Sequence, residues 1–355
     1  MNKNRLLLIL LPLTVLATSC VTTGDRTAPS KDKASKIKAR AAIYYNEGLT
    51  ALRSNDYRGA IKLFEKSVQL NSEDPWPYND TGVAYGKLGM LEKEVACYDK
   101  AIELDPIFAQ ALNNRGIALH MLGRYGEARQ SLESAIKADL LYESAHVNLG
   151  IVLASQNEYE LAVLSLDNAL RLNPSSERAL FNKGLVLEKW GKYEDALKCY
   201  DDLLRLHRSY PEVHLHKAIC LAQLDRLQEA VSALEQAVRQ KPDYAEAFYH
   251  QGLIQQKLER HEEALKSFDE AISFLSSYAE AHHGKARSLA KLEQWEAALE
   301  ACDEAIRLKP QFIEALNTRA TILQALGSED ESQAVLDQVN KLESEEAEAP
   351  PNAAP

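Results

Sequence analysis

Residues 177–210 read ERALFNKGLVLEKWGKYEDALKCYDDLLRLHRSY, and most of the chain is built from versions of this stretch. Gly184 anchors it; Ala196 follows twelve residues later and Tyr200 sixteen later. In steps of 34 residues the Gly184 position reads Gly48, Gly82, Gly116, Gly150, Gly184, Ala218, Gly252, Ala286, Ala320. The Ala196 position reads Ala60, Glu94, Ala128, Ala162, Ala196, Ala230, Ala264, Ala298, Ser332. The Tyr200 position reads Phe64, Tyr98, Leu132, Leu166, Tyr200, Leu234, Phe268, Cys302, Leu336. Three columns stay in phase without insertion over nine copies: 41–74, 75–108, 109–142, 143–176, 177–210, 211–244, 245–278, 279–312 and 313–346.

Each copy holds two apolar-periodic segments joined by a short turn. In 177–210, Ala179, Leu180, Leu185, Leu187 and Trp190 line one face, and Ala196, Leu197, Tyr200, Leu203 and Leu204 the next. This spacing fits the 3.6-residue helical period better than strict alternation. Gly191, with Gly89, Gly123 and Gly327 in its column, suits a helix end that closes in the left-handed region, which Asn55 and Asn157 also tolerate. Pro106, Pro174, Pro242 and Pro310 fall just past the second segment and are expected to stop it. These prolines are 68 residues apart, as are His146, His214 and His282. The double period points to growth by duplicated pairs and predicts slightly longer second helices in the odd copies. The small columns let two antiparallel helices approach closely, and the bulky third column fills the remaining space.

The pattern closely resembles the tetratricopeptide repeat, a 34-residue helix–turn–helix with small, aromatic and proline columns. The resemblance implies an all-α, right-handed superhelix (an α-solenoid) of about nine repeats, with the first helices lining a concave wall. Two copies depart from it. Glu94 takes a small buried column, so a local helix rotation or a nearby cation is expected. Glu329 and Ser332 in the last copy suggest a polar cap.

The composition, 46% apolar and 26% charged, is that of a folded chain, and the net charge of −11 argues against general nucleic-acid binding. No internal apolar run is long enough to span a membrane. The N-terminus is separate. Lys3 and Arg5 precede the apolar run Leu6–Leu16, and small residues lead to Cys20, so 1–19 reads as a signal peptide. Leu16, Ala17, Thr18, Ser19 and Cys20 resemble a bacterial lipobox, with Ala17 a departure because the pattern prefers Leu nearer the cysteine. The resemblance implies lipidation of Cys20 and a membrane anchor; a plain secretory signal is the alternative. Val21, in place of a retaining Asp, leans towards an outer membrane facing the periplasm. Residues 20–40 read as a lipidated cysteine followed by a flexible basic tether, and 347–355 as a disordered acidic and proline-containing tail.

No phosphate loop, nucleophile elbow or metal-binding motif occurs, so no catalytic residue, cofactor or metal site is expected and the chain reads as a non-enzyme. The candidate site is a column two residues before the anchor: Asn46, Asp80, Asn114, Asn148, Asn182, His216 and His250. Side-chain amides both donate and accept, which suits the main chain of an extended peptide, although Asn is common in this column of the family. Lys87, Lys189, Lys257 and Lys291 recur in another first-helix column, and Glu212, Glu246, Glu280 and Glu314 acidify the late copies. A groove with amides and lysines early and acid late is the expectation. The chain therefore reads as a lipid-anchored scaffold in a bacterial envelope, with a protein or extended peptide as partner and homo-oligomers possible. The alternative is a structural or self-assembling protein whose groove is filled by its own termini or another copy.

Overall fold

The computed structural model describes residues 31–348, whose regular structure is all α-helix. They fall into two compact units, the first reaching Val186 and the second starting at Leu187. The first holds α1 (Lys31–Arg53), α2 (Tyr57–Leu70), α3 (Pro75–Gly86), α4 (Leu91–Leu104), α5 (Ala109–Met121), α6 (Tyr125–Ala138), α7 (Glu143–Ser155), α8 (Tyr159–Leu172) and most of α9 (Glu177–Lys189). The second holds the end of α9 with α10 (Tyr193–Leu206), α11 (Pro211–Gln223), α12 (Leu227–Gln240), α13 (Ala245–Lys257), α14 (His261–Phe274), α15 (Ala279–Lys291), α16 (Trp295–Leu308), α17 (Ile313–Ala325) and α18 (Glu329–Glu348). Within each unit, consecutive helices pair as hairpins and each hairpin packs on the next.

Volume complementarity closes the hairpins. A Cβ on Gly48 would lie 2.5 Å from Phe64, one on Gly82 2.5 Å from Tyr98, and one on Gly252 2.6 Å from Phe268. Where the anchor is Ala218, Ala286 or Ala320, the bulky column holds only Leu234, Cys302 or Leu336. Phe268 also fills the space over Gly284, where a Cβ would again sit 2.5 Å away. The Ala column is 0% exposed from Ala60 and Ala128 through Ala298, so the small residues set how near the helices come.

The turn column is left-handed in all nine copies: Asn55, Gly89, Gly123, Asn157, Gly191, Asp225, Glu259, Glu293 and Gly327 have φ between 59° and 83°. Gly and Asn were expected there. Asp225, Glu259 and Glu293 adopt φ 59° against their intrinsic preference, because the hairpin on either side fixes the turn.

Five expectations need correction here. In copies one to eight the second helices, α2 to α16, all have 14 residues, so odd copies are not longer among them. Asn71 and Asp139, with no proline after them, end their helices as Asp105 and Asn173 do, each bonding its N–H to the carbonyl four residues back. Prolines thus occupy a terminus that packing has already placed. Residues 31–40, assigned to the tether, form the start of α1; their Lys, Ala and Arg are strong helix formers with no Gly or Pro among them. The last helix likewise runs to Glu348, two residues into the expected tail, on Glu- and Ala-rich sequence. The signal peptide, Cys20, the rest of the tether and 349–355 lie outside the described residues. Ser332 is not an outward cap residue: it is buried and its hydroxyl donates to the Ala320 carbonyl at 2.9 Å.

Glu94 meets neither a cation nor a rotated helix. α4 starts in the common register, and Glu94 is buried against Tyr98, with Oε2 lacking a hydrogen-bond partner. Burial raises its pKa from 4.5 to about 8, opposed by the Tyr98 hydrogen bond, so the acid is mostly protonated at neutral pH.

Candidate functional site

In the first unit the first helices carry a connected polar chain. Tyr45 Oη donates to Asp80 Oδ2 at 2.6 Å, and Asn79 Nδ2 to Asp80 Oδ1 at 2.9 Å. Asn114 Nδ2 donates to Asn79 Oδ1 at 3.2 Å, Asn113 Nδ2 to Asn114 Oδ1 at 3.3 Å, and Asn148 Nδ2 to Asn113 Oδ1 at 2.7 Å. Arg178 donates to Asn148 Oδ1, and Asn182 Nδ2 to the Arg178 carbonyl at 2.8 Å. The first three steps between repeats span 35 residues, because one column bonds to its neighbouring column in the next copy; the last, from Asn148 to Arg178, spans 30. Asp80, Asn148 and Asn182 are buried and Asn114 half-buried, whereas Asn46 is exposed. Burial raises the Asp80 pKa, held back by the bonds from Tyr45 and Asn79.

The candidate column is therefore drawn together in this unit, but into its own packing. An amide whose oxygen and nitrogen serve its neighbours has little left for a ligand. Asn79 and Asn113 complete the chain and were missed. The doubled polar pairs Asn79-Asp80 and Asn113-Asn114 were the available signal.

In the second unit His216 and His250 have other roles. Glu188 accepts from Tyr200 Oη at 2.9 Å, and His216 Nδ1 lies 3.1 Å from the same carboxylate. The Cys220 thiol also points at it, at 3.7 Å. Burial first, and then the nearby His216, depress the His250 pKa to about 4; burial does the same for His283. The His283 Nε2 is bonded to Thr318 Oγ1 at 2.8 Å.

Beside these, α13, α15 and α17 wall a cavity of about 650 Å³, closed at its rim by the starts of α14 and α16. Leu253, Ala290, Trp295 and Ile322 give it apolar surface, and Thr318 and Thr321 face it. Lys257, Arg287 and Lys291 line it against one acid, Glu293. Gln256 Nε2 braces the wall by donating to the Gly284 carbonyl at 2.7 Å and Ser288 Oγ at 2.8 Å. Lys257 and Lys291 belong to the recurring lysine column. Arg287 was missed, although its place one turn before Lys291 was the available signal. None of the seven candidate residues lines this cavity.

The expected late acidity is halved. Glu212 pairs with Lys241 at 3.8 Å and Glu280 with Lys309 at 3.1 Å, so half of the glutamate column is neutralised by lysines that cap the ends of the following second helices. A second ionic pattern joins five of the second helices to the next first helix at a spacing of 16 residues. Asp99–Arg115, Asp167–Lys183, Asp201–Lys217, Asp269–Lys285 and Asp303–Arg319 all lie within 2.5–2.7 Å. Where the acid column holds Glu65, Glu133 or Glu235, the partner column holds Thr81, Leu149 or Gln251, so the pairing is written in the sequence.

Cys97 is half-buried and Cys199, Cys220 and Cys302 are buried, all as free thiols. Burial pushes Cys97 and Cys302 up to about 12 and raises Cys220 as well. Among the described residues no group of three or more His, Cys, Asp or Glu is placed to hold a metal ion. No described helix is long and apolar enough to cross a membrane.

Hairpins in tandem with a fixed 34-residue frame define a helical-repeat protein. Family models described as tetratricopeptide repeat match residues 41–74, 78–108, 97–130, 147–189, 187–245, 226–279 and 279–312, and the chain belongs to that family. A TPR repeat-containing protein of Methanocaldococcus jannaschii is 34% identical over 62 residues, which are 18% of this chain and 11% of that protein. The chain thus spans a small part of that relative's length. In fold, it is similar to a tetratricopeptide repeat protein from Parabacteroides merdae, with 15% identity, 71% of this chain and 99% of that one covered, and TM-score 0.55. PilF of Pseudomonas aeruginosa gives 22% identity, 61% and 98% coverage and TM-score 0.52. A chain of the APC/C hetero-tetramer Cut9–Hcn1 gives 15% identity, 75% and 52% coverage and TM-score 0.54. At these identities the likeness extends to the fold.

Proposed function

We propose that this protein is a binding scaffold that receives a segment of another protein on the first helices of its second unit, and that lipid on Cys20 holds it at a bacterial membrane. The cavity between α13, α15 and α17 carries the first part. It is about 650 Å³, within the roughly 300–1,000 Å³ of ligand pockets, and combines apolar surface with cations that have no ion-pair partner among the described residues. The polar groups of the first unit are matched to one another, so they serve packing rather than capture. The sequence before Cys20 supports the anchor, and Val21 an outer-membrane location facing the periplasm. An anchored binder gains effective concentration over its neighbours in the same surface. The role is capture, not catalysis.

Of the segments considered as internal plugs, 31–40 belong to α1 and 347–348 to α18. This favours a partner in trans over a self-filled groove. The test places a photo-crosslinking amino acid at Thr321, on the cavity, and at Asp202, on α10 and outside the cavity's lining. A partner crosslinked from 321 and not from 202 is the expected result; equal yields sink the reading. For the anchor, radioactive palmitate should label the wild type and not Cys20→Ser, and equal labelling would remove it.

A further inference from the structure

We propose that the cavity of the second unit takes an extended acidic peptide segment, one whose carboxylates are interleaved with apolar side chains. The inference rests on the scaffold reading and names the partner's chemistry. Most cations of this unit hold a carboxylate: Lys217, Arg226, Lys241, Lys285, Arg307, Lys309 and Arg319 are all ion-paired. Lys257, Arg287 and Lys291 form no ion pair or hydrogen bond among the described residues, and all three are exposed at one cavity. A chain of net charge −11 thus concentrates three unmatched positive charges against the single carboxylate of Glu293. A basic partner would meet repulsion there, and a neutral one would leave the cations unused.

Spacing favours a chain over a single small anion. Lys257 and Lys291 occupy one column of successive first helices, and packed helices lie about 8–10 Å apart. An extended peptide in the polyproline II conformation rises about 3.1 Å per residue with three residues per turn, so carboxylates three residues apart lie on one face about 9 Å apart and match the two lysines. Arg287, one turn before Lys291 on α15, adds a fork-shaped donor set suited to bidentate carboxylate binding. Between the cations, Trp295 and Leu253 offer an apolar surface for the intervening side chains. The wall is already fixed by Gln256 and by the His283–Thr318 bond, so binding orders little of the protein.

The experiment titrates the full chain with a fluorescein-labelled Glu-Leu-Leu-Glu-Leu peptide and with Lys-Leu-Leu-Lys-Leu. The acidic peptide should bind and the basic one should not, with affinity falling as salt rises. The double variant Arg287→Glu/Lys291→Glu should weaken binding at least tenfold, and Lys198→Glu, at an exposed site on α10, should leave it unchanged. Both variants are checked by circular dichroism and thermal melting. Should the double variant misfold, Lys257→Gln with Lys291→Gln replaces it and should weaken binding at least threefold. Equal binding of the two peptides, unchanged binding by the folded variants, or competition by inorganic phosphate at the peptide's own concentration would overturn the proposal. A crosslinked partner at Thr321 together with no acidic-peptide binding would keep the scaffold and discard this chemistry.

Discussion

The first helices of the two units treat polar residues in opposite ways. In the first, Tyr45, Asn79, Asp80, Asn113, Asn114 and Asn148 satisfy one another in a largely buried chain. In the second, Lys257, Arg287 and Lys291 stand around a cavity with no ion-pair or hydrogen-bond partner among the described residues. The difference is one of residue type. Amides are self-complementary, so a repeated column of them can close upon itself. Cations are not, so a repeated column of them must find acids or be left open. Repetition therefore yields closed packing in one unit and an open, cation-lined cavity in the other.

The sharpest way to break this contrast is by pH. Glu94, in the first unit, has its pKa raised from 4.5 to about 8 by burial. Between those values the folded state holds more protons than the unfolded one, so stability falls as pH rises across that window. His250 and His283, in the second unit, are depressed from 6.5 to about 4, so their contribution is complete above 6.5 and is lost as pH falls through 4. Hydrogen exchange read by segment at pH 8 and pH 5 should show copy two gaining protection at the lower pH and copies seven and eight losing it. The Glu94 effect should be on the order of 3 kcal/mol and should disappear in Glu94→Gln. A shift of the same sign in both units would remove the distinction.

A smaller effect comes from cutting the amide chain. Asn148→Ala leaves Asn113 Oδ1 and Arg178 without their partner and should cost about 1–3 kcal/mol in urea unfolding. Lys291→Ala, on the open cavity, should change stability by no more than about 0.5 kcal/mol. Equal costs would mean that the cations are structural after all. Smallest is Glu259→Gly, which relieves a left-handed turn at φ 59° and should add about 0.5–1 kcal/mol, read as a higher Tm. The same change at Asp105, outside the turn column, should give no gain.

Much of the fold was legible because packing repeats. Gly48, Gly82 and Gly252 are small for a reason visible in Phe64, Tyr98 and Phe268, and the 34-residue frame displays both members together. Hairpin phase and turn positions follow from the same columns. Helix ends were less legible: Pro106 and Pro174 looked like causes, yet Asn71 and Asp139 stop their helices at the same place. The site was legible in part. The column of Asn114 and Asn148 was visible, but a sequence names the face a residue shares, not which neighbour will take its hydrogen bonds. For that reason the amides were assigned to a ligand, and the late glutamates were read as free although Lys241 and Lys309 hold two of them. The Asp–cation pairs at a spacing of 16 were available in the columns, since acid and base vary together from copy to copy.

The free cysteines give each unit a built-in clock. Cys97 lies in the first, and Cys199, Cys220 and Cys302 in the second. Burial holds the Cys97 and Cys302 thiols near 12, so at neutral pH almost none is thiolate while its hairpin is shut. In a Cys20→Ser background, alkylation at each position followed by mass spectrometry therefore times the opening of individual hairpins, without dye or tag. An occupant of the cavity would slow the reaction at Cys302 and leave Cys97 at its own pace.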